Sequence, residues 1–208
     1  MAQNTSRQRL VLASQSPVRA QLLRNAGLDF ETCPAHVDEA ALIAASSDPT
    51  FEQIALCLAK AKAMAVIEAA GADVVIAADQ LLVCDGVVLH KPVDLDAARA
   101  RLELLSGRTH ELVTACVLAR AGTVLWTHSE TSRLTMHALS DAEIDETLAL
   151  EGQAVLQSVG AYRLEGPGIA LIAALEGDYF AMLGLPLVPL LAAIRRHAAQ
   201  FLPGAGSK

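Results

Sequence analysis

The chain has 208 residues, 53% of them hydrophobic, enough to bury a substantial core, and it is expected to form one domain, residues 1–208, with two lobes. That composition excludes intrinsic disorder. Aromatic residues make up only 3% and the formal net charge is -7, which argues against a base-stacking platform or a general nucleic-acid-binding surface while leaving room for a local phosphate site.

Cys33, Cys57, Cys84 and Cys116 are far apart in sequence, so they read as free thiols rather than a zinc cage or a disulfide scaffold. The polar start, Met1 to Arg9, has no signal-peptide core, and no apolar run approaches the ~18 residues of a membrane span, so no membrane association is expected and the cytoplasm is the expected compartment. Both ends, residues 1–9 and 203–208, are expected to fray.

In chain order, Leu10 to Ala13 reads as a short buried strand, followed by Ser14-Gln15-Ser16-Pro17. A serine before a proline opens a helix, because the hydroxyl accepts from an orphan amide while proline suits the first helical position. The helix should run from Val18 to Ala26 and stop at Gly27. Strand, short polar loop and helix N-terminus together form a recipe for an anion site. Arg19, a cation in the first turn, opposes the helix dipole unless an anion lies between them.

A weaker strand spans Leu28 to Pro34, and Asp38-Glu39 after it reads either as a solvated turn or as part of a divalent-metal site. Phe51 to Ala70, rich in Ala and Leu, is a helix ending near Gly71. Lys60 and Lys62 on it project about 200° apart, so at most one faces inward. Val74-Val75-Ile76-Ala77-Ala78 is an unbroken apolar run, a strand covered on both faces, and it leads into Asp79-Gln80. Ligands of open α/β sheets bind beyond strand carboxyl ends, which makes Asp79 the first candidate for chemistry, with a capping role as the alternative.

Asp85-Gly86 between Leu81–Cys84 and Val87–Leu89 is a hairpin signal that delivers His90-Lys91-Pro92. A helix follows from Asp94 to Leu105, then an antiparallel hairpin, 110–119 with 123–137, turning at Ala121-Gly122. Trp126 on it is read as a core or homodimer contact. Ser140-Asp141-Ala142-Glu143 is a capping box for a helix to Leu150. The glycine-rich stretch from Gly160 to Gly168 implies close backbone approach. Ile169 to Ala173 reads as a buried strand, Glu176-Gly177-Asp178-Tyr179 as a tight acidic turn, and Gly184-Leu185-Pro186 as the start of a final helix to Ala199. His36 alone says little, and the remaining histidines, His90, His110, His128, His137 and His197, lack metal-ligand spacing.

Taken in order, Leu12 to Pro17 with Arg19, Asp38-Glu39, Lys62, Ala78-Asp79, Lys91-Pro92, Ser106 to His110, Gly160-Ala161-Tyr162, Gly166, Glu176 to Tyr179 and Gly184-Leu185-Pro186 resemble the Maf family of nucleoside triphosphate pyrophosphatases. The likeness covers Leu10 to Arg196. It implies an α/β fold with a mixed, twisted sheet flanked by helices, two lobes and a central cleft, similar in shape to inosine triphosphate pyrophosphatases. It also implies Asp79, Glu39 and Lys91 as catalytic residues and Glu39 with Asp79 as ligands of Mg²⁺ or Mn²⁺. Ser14, Ser16, Val18, Arg19, Lys62, Gln80 and Glu165 would then contact a nucleoside triphosphate.

Three positions divide that family by base. Members acting on dTTP and UTP carry Arg, Thr and Gln where this chain has Val18, Gln80 and Glu165. Gln80 and Glu165 resemble the 7-methyl-GTP branch, and an acceptor-only carboxylate suits the donor edge and added positive charge of N7-methylguanine. Val18 stands where that branch has tryptophan, and Asp178-Tyr179 is nearer the pyrimidine branch. The alternatives are a dTTP/UTP pyrophosphatase and a non-catalytic, nucleotide-binding regulator of cell division.

Overall fold

The computed structural model describes residues 8–44, 49–70 and 74–204. The polar chain ends up to Arg7 and after Gly204, and the helix stop placed at Gly71, lie outside the described residues. A mixed seven-stranded sheet runs in the order β2-β1-β3-β5-β6-β7, with β4 paired to β3, and helices flank it. The chain divides into two compact units: one takes the described residues up to Asp79, with Ala115–Ser129 and everything from Leu185 on, and the other takes Gln80–Thr114 and Glu130–Gly184.

In the first unit, β1 (Leu10–Leu12) lies parallel to β2 (Glu31–Thr32) and to β3 (Val74–Cys84), with Leu10 opposite Val74 and Leu12 opposite Ile76. β3 is buried from Val74 through Asp79, as its unbroken apolar run requires of a strand covered on both faces. α1 (Pro17–Asn25) is capped by the Ser16 side chain, carries its proline in the first turn, and stops where Gly27 turns left-handed at φ +75°. α2 (Glu39–Ala44) is a short helix not expected from the sequence, with no buried residue. α3 (Phe51–Ala70) opens on a reciprocal cap: the Gln53 amide donates to Thr50 Oγ1 at 3.3 Å and the Thr50 amide to Gln53 Oε1 at 2.9 Å. Trp126 is half-buried and stacks on His128 with ring centroids 5.7 Å apart.

In the second unit, β4 (Val87–Leu89) returns against β3 through Asp85 and Gly86, both at positive φ, as the Asp-Gly pair requires. α4 (Leu95–Leu105) is capped by Asp94, and α5 (Asp141–Glu151) has the full capping box between Ser140 and Glu143. β5 (Thr109–Arg120) and β6 (Thr123–Met136) each start or end here, while the Ala121-Gly122 turn that joins them and the strand halves beside it, Ala115–Ser129, belong to the first unit. β7 (Ile172–Glu176) pairs antiparallel with β6, α6 spans Tyr179–Met182, and α7 (Leu187–His197), in the first unit, ends the helical series.

The buried strand expected at Ile169 to Ala173 is not there. Pro167–Leu171 forms a 3-10 helix with Ile169 exposed, and the strand begins only at Ile172, with most of its residues exposed. A five-residue apolar run does not by itself distinguish a strand from a helical turn, and here Gly166-Pro167 sets the turn. The strand read across Leu28 to Pro34 shrinks to Glu31 and Thr32, in register with Val11 and Leu12 of β1, with one further bond from the Cys33 amide to the Leu12 carbonyl at 3.0 Å.

The core of the second unit holds a polar pair. His110 is buried, its Nε2 lies 2.6 Å from the Tyr162 hydroxyl, and its Nδ1 has no hydrogen-bond partner among the described residues. Burial lowers the imidazole pKa to about 4, so the ring is neutral in the folded protein. Between pH 6.5 and 4 the unfolded chain then binds a proton that the native state refuses, so stability falls as pH drops through that window. From pH 7 to pH 5 this group is expected to cost about 2 kcal/mol. Urea unfolding at the two pH values checks it, and His110→Gln should flatten that part of the dependence.

Candidate active site

The site is built around the end of the buried half of β3. Asp79 is 6% exposed, and its carboxylate binds the Lys62 ammonium of α3. The same ammonium lies 2.7 Å from Glu39 Oε1, on the first residue of α2. Two acids from different elements thus meet on one cation. Lys60 is exposed, as the helical spacing demands once Lys62 turns inward. Asp38 and Glu39, read as a pair from the sequence, divide their tasks: Asp38 Oδ1 accepts the Ala41 amide at 2.9 Å and caps α2, while Glu39 goes to Lys62.

A second cation approaches from α1. Arg19 Nη1 donates to the Ala78 carbonyl at 2.9 Å and to Ser14 Oγ at 3.3 Å, tying the first turn of α1 to the strand one residue before Asp79. Burial pulls the guanidinium below its usual range and Asp79 pushes it back up, so it remains a cation held near that acid. This accounts for a positive side chain at a helix N-terminus: its charge is turned to Asp79. Ser14 Oγ also accepts the Ser16 amide at 3.1 Å, and Ser16 Oγ accepts the Arg19 amide at 3.4 Å, so both hydroxyls fix the loop. Val18, in the first turn of α1, is half-buried. Cys116 lies near enough to Arg19 to sense its charge, but burial pushes the thiol up to about 12 and it is no nucleophile.

The other candidates belong to the second unit. Gln80 follows Asp79 on the strand and so projects to the opposite side. Its amide nitrogen reaches Thr114 Oγ1 at 2.9 Å and the carbonyls of Ala181 and Met182 at 3.0 and 3.1 Å, which uses both of its donors. Lys91 is exposed in the extended segment after β4. Glu165 is exposed within the glycine-rich loop and is not the partner of Arg163: that guanidinium binds Glu151, whose side chain is 0% exposed, at 2.5 Å. Glu151 has no signal in the sequence. It stands one residue beyond the end read for α5, where an acid looks solvated.

Among the described residues no group of three or more His, Cys, Asp or Glu side chains is placed to hold a metal ion. The donor chemistry of Glu39 and Asp79 nevertheless fits one: two carboxylates already gathered on a positive charge are hard oxygen ligands of the kind Mg²⁺ and Mn²⁺ accept.

A strand-end acid, paired cations and a capped helix N-terminus on a mixed sheet define an α/β protein equipped for anionic ligands. The chain belongs to the Maf family, whose model, described as Maf-like protein, matches residues 9–197. Among its relatives, a 7-methyl-GTP pyrophosphatase of Mesorhizobium japonicum is 49% identical over 92% of this chain and 98% of that protein. A 7-methyl-GTP pyrophosphatase of Brucella abortus is 47% identical over 91% and 96%. A nucleoside triphosphate pyrophosphatase of Granulibacter bethesdensis is 46% identical over 92% and 98%. No helix among the described residues is long and apolar enough to cross a membrane.

Proposed function

We propose that this chain is a nucleoside triphosphate pyrophosphatase that hydrolyses 7-methyl-GTP to the nucleoside monophosphate and pyrophosphate. The observation that carries the reading is the Lys62 ammonium shared by Asp79 and Glu39 at the end of a buried strand. Hydrolysis between the α and β phosphates requires a water to be aligned on phosphorus while several negative charges are compensated, and a rigid acid among cations supplies both needs.

Asp79 orients the attacking water and takes its proton as the new oxygen–phosphorus bond forms; the bond from the α phosphorus to the bridging oxygen breaks, and pyrophosphate leaves with the electron pair. Lys62 and Arg19 neutralise the phosphates, and the loop from Ser14 to Pro17 offers amides at the α1 N-terminus. From the second unit, Lys91 is assigned to the phosphates and Glu165 to the base, with Gln80 as the strut that anchors the strand beyond Asp79. Glu39 and Asp79 are the residues that would hold Mg²⁺ or Mn²⁺, which supplies charge neutralisation on the phosphate oxygens.

The preference for N7-methylguanine rests on Glu165, an exposed acceptor-only side chain that matches the donor edge and positive charge of that base and repels the carbonyl oxygens of uracil and thymine. Three relatives of this size and similarity carry names of the same activity class, two of them with this substrate. Cytoplasmic residence and action without nucleic-acid or membrane partners complete the reading. A pyrophosphate-release assay with Mg²⁺ across GTP, 7-methyl-GTP, dTTP, UTP and ITP tests it. Turnover highest on 7-methyl-GTP is the expected result; highest turnover on dTTP or UTP would transfer the chain to the pyrimidine activity, and no turnover on any would leave a binding protein.

A further inference from the structure

We propose that Glu151 is a positioning residue that fixes Glu165 for the base, acting through Arg163 and the backbone of the glycine-rich loop; the inference rests on the assignment of Glu165 to the base made above. Glu151 is a carboxylate with 0% side-chain exposure at the end of α5. A charge so buried is costly unless fully paired, and a packed apolar side chain would serve stability as well or better, so the group's benefit lies in orientation. Its two oxygens are both used. Oε2 accepts Arg163 Nε at 2.5 Å, and Oε1 accepts the Gly168 amide at 3.0 Å, clamping the loop on either side of Glu165.

The glycines are there because the loop packs without clearance, Gly166 on this carboxylate and Gly168 on the backbone of Arg163. A Cβ on Gly166 would lie 2.8 Å from Glu151 Oε1, and one on Gly168 would lie 2.7 Å from the Arg163 nitrogen. Two more pins hold the same segment: Tyr162, whose ring fills the space under Gly160 and whose hydroxyl meets His110, and Tyr179, whose hydroxyl donates to the Leu164 carbonyl at 3.3 Å. Leu164 is buried and Gly166 is packed on Glu151, while Glu165 between them is exposed. The loop therefore presents one acid outward from a backbone tied down on both sides, which is the preorganisation that selective recognition of a base requires.

The test is steady-state kinetics on 7-methyl-GTP and UTP for the intact protein and for Glu151→Gln, Glu165→Gln and the double variant, with thermal melts alongside. Glu151→Gln is expected to raise KM for 7-methyl-GTP about tenfold with kcat nearly unchanged, lowering the preference over UTP, and the double variant should be no worse than Glu165→Gln alone. A folded Glu151→Gln that keeps the wild-type preference, loses kcat instead, or adds fully to Glu165→Gln overturns the proposal. Should Glu151→Gln not fold, Arg163→Lys, which keeps the charge but loses the Nε donor, must show the same loss of preference or the proposal falls. If Glu165→Gln itself leaves the preference intact, the assignment of Glu165 fails; if it shifts the preference and Glu151→Gln does not, only the positioning role fails.

Discussion

Asp79→Asn should reduce pyrophosphate release by about a thousandfold or more, about 4 kcal/mol of transition-state stabilisation, while leaving the protein folded. The amide matches the carboxylate in shape, and Lys62 keeps Glu39 as a partner, so little packing is lost. What disappears is the carboxylate at the end of the buried half of β3, and with it both the proton acceptor and half of the carboxylate pair. Circular dichroism and the melting temperature should stay close to wild type. Turnover within a few-fold of wild type would remove Asp79 from the chemistry.

Lys62→Met should have the second largest effect, about a hundredfold on turnover, and it should alter the protein without substrate as well. The ammonium now lies on both Glu39 and Asp79; removing it leaves two acids facing each other with their mutual repulsion unrelieved. Such a pair has raised affinity for any cation of the right size. Mn²⁺ titrated into the nucleotide-free protein and followed by electron paramagnetic resonance should bind the variant more tightly than the wild type. Unchanged turnover together with unchanged Mn²⁺ binding would mean that Lys62 only steadies α3.

The parts of the fold legible in the sequence are those fixed by neighbours along the chain. Ser16-Pro17, Asp94 and the Ser140-Glu143 box each announced a helix, because caps act within four residues, and Asp85-Gly86 and Ala121-Gly122 announced turns because few residues tolerate positive φ. The helical angle between Lys60 and Lys62 allowed at most one of them inward. Which acids the inward one would meet was beyond the reach of periodicity, since Glu39 opens a six-residue helix too short to show a face, and only the resemblance grouped Glu39 and Asp79 with Lys62. Gln80 shows the same limit from the other side. The resemblance implied a contact with the nucleoside triphosphate, whereas the partners its amide donors take up, Thr114 and carbonyls a hundred residues away, are ones that only the tertiary fold brings to it. Glu151 was hidden because its burial depends on Arg163 and Gly168, which only the tertiary fold brings to it.

Asp79 and Glu39 stand on foundations of opposite kind. Opening the backbone around Asp79 means tearing a buried strand out of the sheet, an event as costly as melting the unit. α2 contributes no buried side chain, so it can let go for far less, with the Lys62 contact among its anchors. Amide exchange in α2 should therefore be fast next to that in β3. One acid is a fixed datum for the reacting phosphorus, and the other can settle around whatever arrives.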